Sequence, residues 1–355
     1  MNVLTRLFRN ELAIDLGTVN TLIFAPGKGV LLNEPSVIAL DRYDGKILAM
    51  GKQAHKLLGR EPKDIEVHRP IRSGTIFNFE VTQKMLKAFL IKATDGYRRG
   101  HFVVGVPGAS TAVEQRSIRD AAHDSGGYSV DLIDEGLAAG LGSGLEFDDE
   151  RAHLVVDIGG GTTNVAIVAS GGVVSSITLS AAGNEMDEAI RDYIRSKYCL
   201  HIGECTAETV KKQLGSQLPD QNDSEGKMEV IGKHILDGSA NAVEVTASEI
   251  REALDPVLAE IVAGVRRAIE EAQPEAIVDI YRAGIILTGG GALMKGLSER
   301  LQKELHLKVR VPDDPIATVV IGAGSLLNSP ERLHRASIRQ NLPVWEGSEE
   351  LVVSW

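Results

Sequence analysis

Cysteine is scarce. The chain of 355 residues holds two, Cys199 and Cys205, too few for the disulfide framework of a secreted domain and in keeping with a reducing cytoplasm. Aromatic residues make up only 4%, and no apolar run reaches the roughly 18 residues that a bilayer-spanning helix needs. Basic residues are outnumbered 38 to 49, a net charge of −11, which repels a phosphate backbone and argues against nucleic acid as a partner. The opening segment MNVLTRLFRN has neither the apolar centre nor the small-residue cleavage site of a signal peptide. What remains is a globular balance, 43% hydrophobic and 25% charged. The length suits two domains, each able to bury its own core.

The runs LAIDL, NTLIFA, GVLL and PSVIAL are short, β-like and punctuated by Gly, Lys, Asn and Glu-Pro, which predicts a meander of strands over residues 11–40. Helices are expected over about 82–92 and 111–124, the strand FVVGVP between them, and VDLI before a helix that starts near Glu135. The succession then begins again. HLVVDIGGGTT, NVAIVAS and GVVSSITL read as a second meander, followed by helices over about 185–197, 206–214 and 247–272, the strand AGIILT, a helix over about 292–305 and the strand KVRV. Residues 217–238 are polar, with one apolar alternation that fits an exposed hairpin, and the tail from Ser329 reads as an appendage.

The repeat carries chemistry. Asp15-Leu16-Gly17-Thr18 and Asp157-Ile158-Gly159-Gly160-Gly161-Thr162-Thr163 each place an acid at the end of an apolar strand and follow it with a glycine-rich turn. Such turns let backbone N–H groups approach phosphate oxygens with no Cβ in the way, and hydroxyls add donors. Two strand-terminal aspartates facing one cleft suit Mg²⁺, held largely through its waters. A third cluster, Thr288-Gly289-Gly290-Gly291-Ala292-Leu293, ends an apolar strand and opens a helical turn, a place where a charged or flat ligand can lie against backbone. Cys199, His201 and Cys205 lack a nearby fourth ligand, so zinc is not expected.

These three loops together resemble the two phosphate loops and the adenosine loop of the actin, Hsp70 and sugar-kinase superfamily. The segments LNEPSVIAL, LLGREP, RPIRSGTIFNFEVTQKML and LTGGGALMKGL look like its MreB family of bacterial actins over about residues 11–327. The resemblance implies an α/β actin-like ATPase fold of two duplicated RNase H-like domains around a nucleotide cleft, each with a smaller accessory subdomain. Domain I would span 11–140, with 315–328 returning to it, and domain II 141–314, with an extension over 329–355. It implies ATP and Mg²⁺ as cofactors, with Thr18, Val19 and Asn20 on the β- and γ-phosphates and Gly160, Gly161 and Thr162 opposite them. Glu208, Thr209, Val210 and Lys211, with Gly290, Gly291, Ala292 and Leu293, would form the adenosine pocket. Asp15 and Asp157 would serve the metal, and Glu135 with Thr162 would orient the attacking water in a slow ATPase. Read without the family, Glu208 and Lys211 are an exposed helix ion pair, and Asp134 and Glu135 are acids at a helix N-terminus.

The resemblance further implies self-assembly into filaments on the anionic inner face of the cell membrane, where they organise the cell-wall elongation machinery and set rod shape. A small-molecule kinase and a plasmid-segregating actin are the alternatives. Val3, Leu4, Leu7 and Phe8 fall on one face of a short helix with Arg6 and Arg9 on the other, a membrane-surface pattern over residues 1–10, although an arm packed on its own domain has the same spacing. The chain departs from the family at several points. Asp134-Glu135-Gly136 stands where Glu-Glu-Pro is usual, and Gly makes that turn less rigid. Asn164 replaces a usual Glu and Asn184 a usual Asp, and the loop Gly96-Tyr97-Arg98-Arg99-Gly100 offers charge where an apolar insertion loop is usual.

Overall fold

The computed structural model describes residues 10–96, 99–217 and 226–338. The chain opens with an antiparallel meander of β1 (Asn10–Leu16), β2 (Asn20–Ala25) and β3 (Gly29–Pro35). It then leaves that sheet to build a small one from β4 (Ile38–Asp41), β5 (Ile47–Met50) and β6 (Ile65–His68), with the single-turn helix α1 (Lys52–His55) between the last two. The hairpin β7 (Ile71–Arg72) and β8 (Thr75–Ile76) leads to α2 (Phe79–Ala93), β9 (Gly100–Val106), α3 (Ala112–Asp124) and β10 (Gly127–Asp134). Strand β9 runs parallel to β1 and β10 parallel to β9, which gives the order β3-β2-β1-β9-β10.

Helix α4 (Glu135–Gly142) crosses to a second half built to the same plan. Its meander is β11 (His153–Ile158), β12 (Thr163–Ala169) and β13 (Gly172–Leu179). After α5 (Gly183–Tyr198), a small sheet forms from β14 (Leu200–His201), β15 (Lys227–His234) and β16 (Ala240–Thr246), with α6 (Glu204–Leu214) inserted after β14. Then come α7 (Ala247–Glu270), α8 (Pro274–Ala283), β17 (Ile285–Thr288), a 3₁₀ turn over Gly290–Leu293, α9 (Leu297–Leu305) and β18 (Val309–Arg310). Both β17 and β18 add in parallel, so the second sheet is β13-β12-β11-β17-β18, the first sheet's order and strand sense repeated. Finally α10 (Thr318–Leu326) and α11 (Pro330–Ala336) return the chain to the first half.

Local chemistry explains the boundaries. Thr111 with Glu114 and Thr246 with Glu249 form complete capping boxes that start α3 and α7, and the Asn78 side chain caps α2. Helix α7 buries Ile250, Leu254, Leu258, Ile261 and Val265, a face of i, i+4, i+7 spacing that covers the second sheet. Two expectations need correction. PSVIAL does not extend the first meander: Ile38–Asp41 pairs with β5 and β6 instead. The helix expected over 292–305 is broken, because Gly296 takes a left-handed φ of 79° and restarts it at Leu297.

A third apolar core joins the halves. Ala13 and Val103 of the first sheet and Val155 and Ala166 of the second pack around α4 and α10. The two helices approach through glycine: a Cβ at Gly142 would collide with the Thr318 carbonyl, and one at Gly322 with the Ala138 carbonyl. Gly136 is set the same way, since a Cβ there would strike the Ala166 side chain, and its N–H donates to Asp134 Oδ1 at 2.7 Å. Close packing and a capping bond therefore occupy this turn, and a proline at 136 would forfeit the N–H.

Candidate functional site

The two meanders close on equivalent hairpins. Leu16 pairs with Thr21 and Ile158 with Thr163, so residues 17–20 and 159–162 are loops of the same length, and Asp15 and Asp157 stand at the same place before them. Each loop is tied to its own half. Ser36 Oγ donates to the Gly17 carbonyl at 2.6 Å, and Gly159 N–H donates to the Thr162 carbonyl at 2.9 Å. The start of α5 is fastened to the second loop by Gly183 and Asn184 N–H groups that donate to the Gly159 and Gly160 carbonyls.

The loops meet face to face. Gly160 packs against Val19 and Gly161 against Thr18, so closely that a Cβ on either glycine would clash. The β7–β8 hairpin reaches the same point: Gly74, at φ +73°, donates its N–H to Thr18 Oγ1 at 2.9 Å and lies against Thr162. The third glycine cluster joins from below, where Gly289, at φ +80°, leaves no room for a Cβ beside Asp157 Oδ1 and Gly291 presses on Ile158. Thr288 Oγ1 fixes that turn through the Pro315 carbonyl at 2.8 Å and Thr318 Oγ1 at 2.5 Å.

Between the loops lie three acids. Burial and then repulsion by Asp157 push the Asp15 carboxyl up to about 7, and burial brings Asp157 to about 7. Glu135 at the first turn of α4 is raised well above the usual carboxylate range by burial and then by Asp15, Asp157 and Asp134. Among the described residues none of the three has a salt-bridge partner. Asn164 from the opposite half donates Nδ2 to Glu135 Oε2 at 2.7 Å, and Thr178 Oγ1 donates to Asn164 Oδ1 at 2.8 Å, which fixes the amide's orientation.

At the cleft's other wall, α6 corrects the expected pairing. Lys211 Nζ binds Asp187 Oδ2 at 2.9 Å and the Gly183 carbonyl at 2.7 Å, while Glu208 pairs with Lys212 at 2.7 Å. Burial lifts Glu208, but Lys212 and Lys211 outweigh it and hold the carboxyl below its ordinary value. Val210 is buried in the second half's core, Thr209 is exposed with Oγ1 donating back to the Cys205 carbonyl, and Glu208 and Lys211 are half-buried. Gly290 borders open space, Ala292 is buried and Leu293 is 59% exposed. Arg69 beside β6 spans to Glu204 of α6 at 3.0 Å, and His55 of α1 lies near Glu208, which brings the small sheet of one half against the other half. Val3, Leu4, Leu7, Phe8, Tyr97 and Arg98 lie outside the described residues. Residue spacing alone could not find Asn164, Gly74 and Asp187, since each meets the site from a different element.

Two sheets of one topology, with glycine-rich hairpins and carboxylates converging between them, define an actin-like ATPase fold. A chain of the MamK double helical filament shares it at a TM-score of 0.75 and 21% identity, over 90% of this chain and 99% of that one. The family model described as MreB/Mbl protein matches residues 9–335, and the chain belongs to that family. It is 39% identical over 335 residues to the cell shape-determining protein Mbl of Bacillus cereus, covering 94% of this chain and 100% of that protein. Against the cell shape-determining protein MreB of Escherichia coli K12 it is 41% identical over 328 residues, 90% of this chain and 94% of the other. Crystal structures of MreB5 from Spiroplasma citri, one bound to AMPPNP and one to ADP, match at a TM-score of 0.86 and 32% identity, over 92% of this chain and 98% of theirs.

Proposed function

We propose that this chain is a bacterial actin that binds ATP with Mg²⁺ in the cleft, polymerises, hydrolyses ATP slowly, and as a membrane-associated filament organises cell-wall synthesis to set rod shape. The observation that carries it is the convergence of two equivalent glycine-rich hairpins on carboxylates that, among the described residues, have no salt-bridge partner. A polyanion satisfies the N–H groups of the hairpins and a hard cation satisfies Asp15 and Asp157, and a nucleoside triphosphate with Mg²⁺ supplies both. The names of the relatives, cell shape-determining proteins, and the AMPPNP and ADP held by the Spiroplasma proteins support the same reading.

In this arrangement Thr18, Val19 and Asn20 hold the β- and γ-phosphates from one side and Gly160, Gly161 and Thr162 from the other. Glu208 and Lys211 with residues 290–293 bound the adenosine. The metal, when bound, neutralises phosphate charge. Glu135 and Thr162 orient the attacking water, and Asn164 holds Glu135 in place across the cleft. Domain I takes residues 11–140 with 315–328 and domain II residues 141–314. Purified protein is expected to pellet with MgATP and no acceptor molecule; ADP release that depends on an added acceptor, without pelleting, would instead mark a small-molecule kinase.

No helix among the described residues is long and apolar enough to cross a membrane, so attachment falls to the N-terminal segment. Burying Val3, Leu4, Leu7 and Phe8 contributes at most about 1.5–3 kcal/mol each, much of it offset by ordering the helix. One protomer binds weakly, while a filament presents many copies and binds firmly. ATP-assembled protein should co-float with anionic vesicles, and deletion of residues 2–9 should release filaments without preventing assembly. Equal flotation of the deletion variant would leave residues 1–9 as an arm packed on the domain.

A further inference from the structure

Helix α11 packs on the shared core and is tied to the first half through β10. Leu333 and Ala336 are buried in the core that joins the halves, Ser337 forms an antiparallel bridge with Ile133 of β10, and Ile338 N–H donates to the Leu132 carbonyl at 2.8 Å. Two arginines reach outward from this anchor. Arg332 Nη2 and Arg335 Nη1 each hold one oxygen of Asp148 at 2.9 Å, and Arg335 Nη2 donates to the Ser170 carbonyl at 3.2 Å. Both guanidinium groups lie over the Phe147 ring, at 5.6 and 5.0 Å from its centroid.

Asp148 and Phe147 belong to the segment 143–152 that links α4 to β11, and Ser170 is in the β12–β13 turn, so every one of these contacts leaves the half that anchors α11. The linker is itself part of the second half's surface: Ser170 N–H donates to the Asp149 carbonyl at 2.7 Å, and Gly171, at φ +70°, packs on the Phe147 ring. Helix α4 begins at Glu135 between the two hairpins and ends at Gly142 before this linker, so along the chain its crossing with α10, where Ala138 meets Gly322 and Gly142 meets Thr318, lies between Glu135 and the linker. A rotation about that glycine-packed crossing that opens the cleft must move the linker and the β12–β13 turn relative to α11.

We infer that α11 is a strap: Arg332 and Arg335, clamped on Asp148, Phe147 and the Ser170 carbonyl, restrain rotation of the two halves and thereby regulate opening of the cleft and release of its ligand. Only the ligand's identity rests on the nucleotide reading. The ion pairs are about half exposed, so their loss is worth about a two- to fivefold change in opening, not a collapse of the fold.

The test uses the full chain with Cys199 and Cys205 replaced by serine and spin labels on Lys56→Cys and Gln213→Cys, one on each side of the cleft mouth. Without nucleotide, R332Q/R335Q is expected to shift the label distances to longer and broader values, Asp148→Asn to do the same from the linker side, and the charge swap R332D/R335D/D148R to restore the parent distribution. Release of a fluorescent ADP should quicken about two- to fivefold in the first two variants. An unchanged distance distribution in R332Q/R335Q overturns the strap. A parent that binds no nucleotide overturns the preceding reading instead, and the label distances still decide this one.

Discussion

Asp157→Ala is expected to abolish Mg²⁺-dependent ATP binding, measured by calorimetry. Asp157 is 8% exposed, stands one residue before the end of β11 against the Gly289 turn, and repels Asp15. On the proposed reading these two carboxylates would hold the Mg²⁺ of the nucleotide, so the variant would lose the charge that fixes the metal while both hairpins remain. ATP affinity that is unchanged in the presence of Mg²⁺ would sink the assignment. The same carboxyls give a pH signature in the nucleotide-free protein. Both have folded values of about 7 against 3.8 for the free group. The folded state therefore binds more protons between those values, and the stability they contribute is present below about pH 4 and is lost as pH rises through 7. The melting temperature of nucleotide-free protein should accordingly fall between about pH 5 and pH 7.5, and Asp157→Asn should flatten that slope.

Glu135→Ala should slow phosphate release by roughly 10²-fold or more, as removal of a group that positions the attacking water does, while ATP affinity changes little. The carboxyl sits at the first turn of α4 with Asp134 capping the helix beside it, and one oxygen is already taken by the Asn164 amide. The other oxygen is the one available to a water. Long-lived filaments are the expected consequence, and turnover at the parent rate in a single-cycle phosphate assay would remove Glu135 from the reaction.

The duplicated hairpins were legible because their signal is local: an acid two residues before a glycine-rich turn, on an apolar strand, twice in one chain. The repeated strand order of the two sheets agrees with the duplicated fold that the resemblance implies. What stayed hidden depends on tertiary partners. Lys211 stands three residues from Glu208 and Lys212 four, and both spacings share a helix face, so only the position of Asp187 on α5 decides which lysine pairs with which acid. The apolar alternation of PSVIAL is the same whether it joins the first sheet or the small one. Gly136 looks like a loosened turn in sequence, yet the approach of Ala166 from the other half leaves no space for a side chain there. The tail from Ser329 reads in sequence as an appendage, yet Pro330–Ala336 packs as a helix with Leu333 and Ala336 in the core, because nothing in PERLHRA names Asp148 as the partner of its arginines.

The most direct test of an ATP-driven bacterial actin is electron microscopy of the purified chain with MgATP, without nucleotide, and as Asp157→Ala with MgATP. Filaments in the first sample alone are the expected result. Filaments of equal number and length in all three would contradict the claim that the cleft between the two hairpins governs assembly.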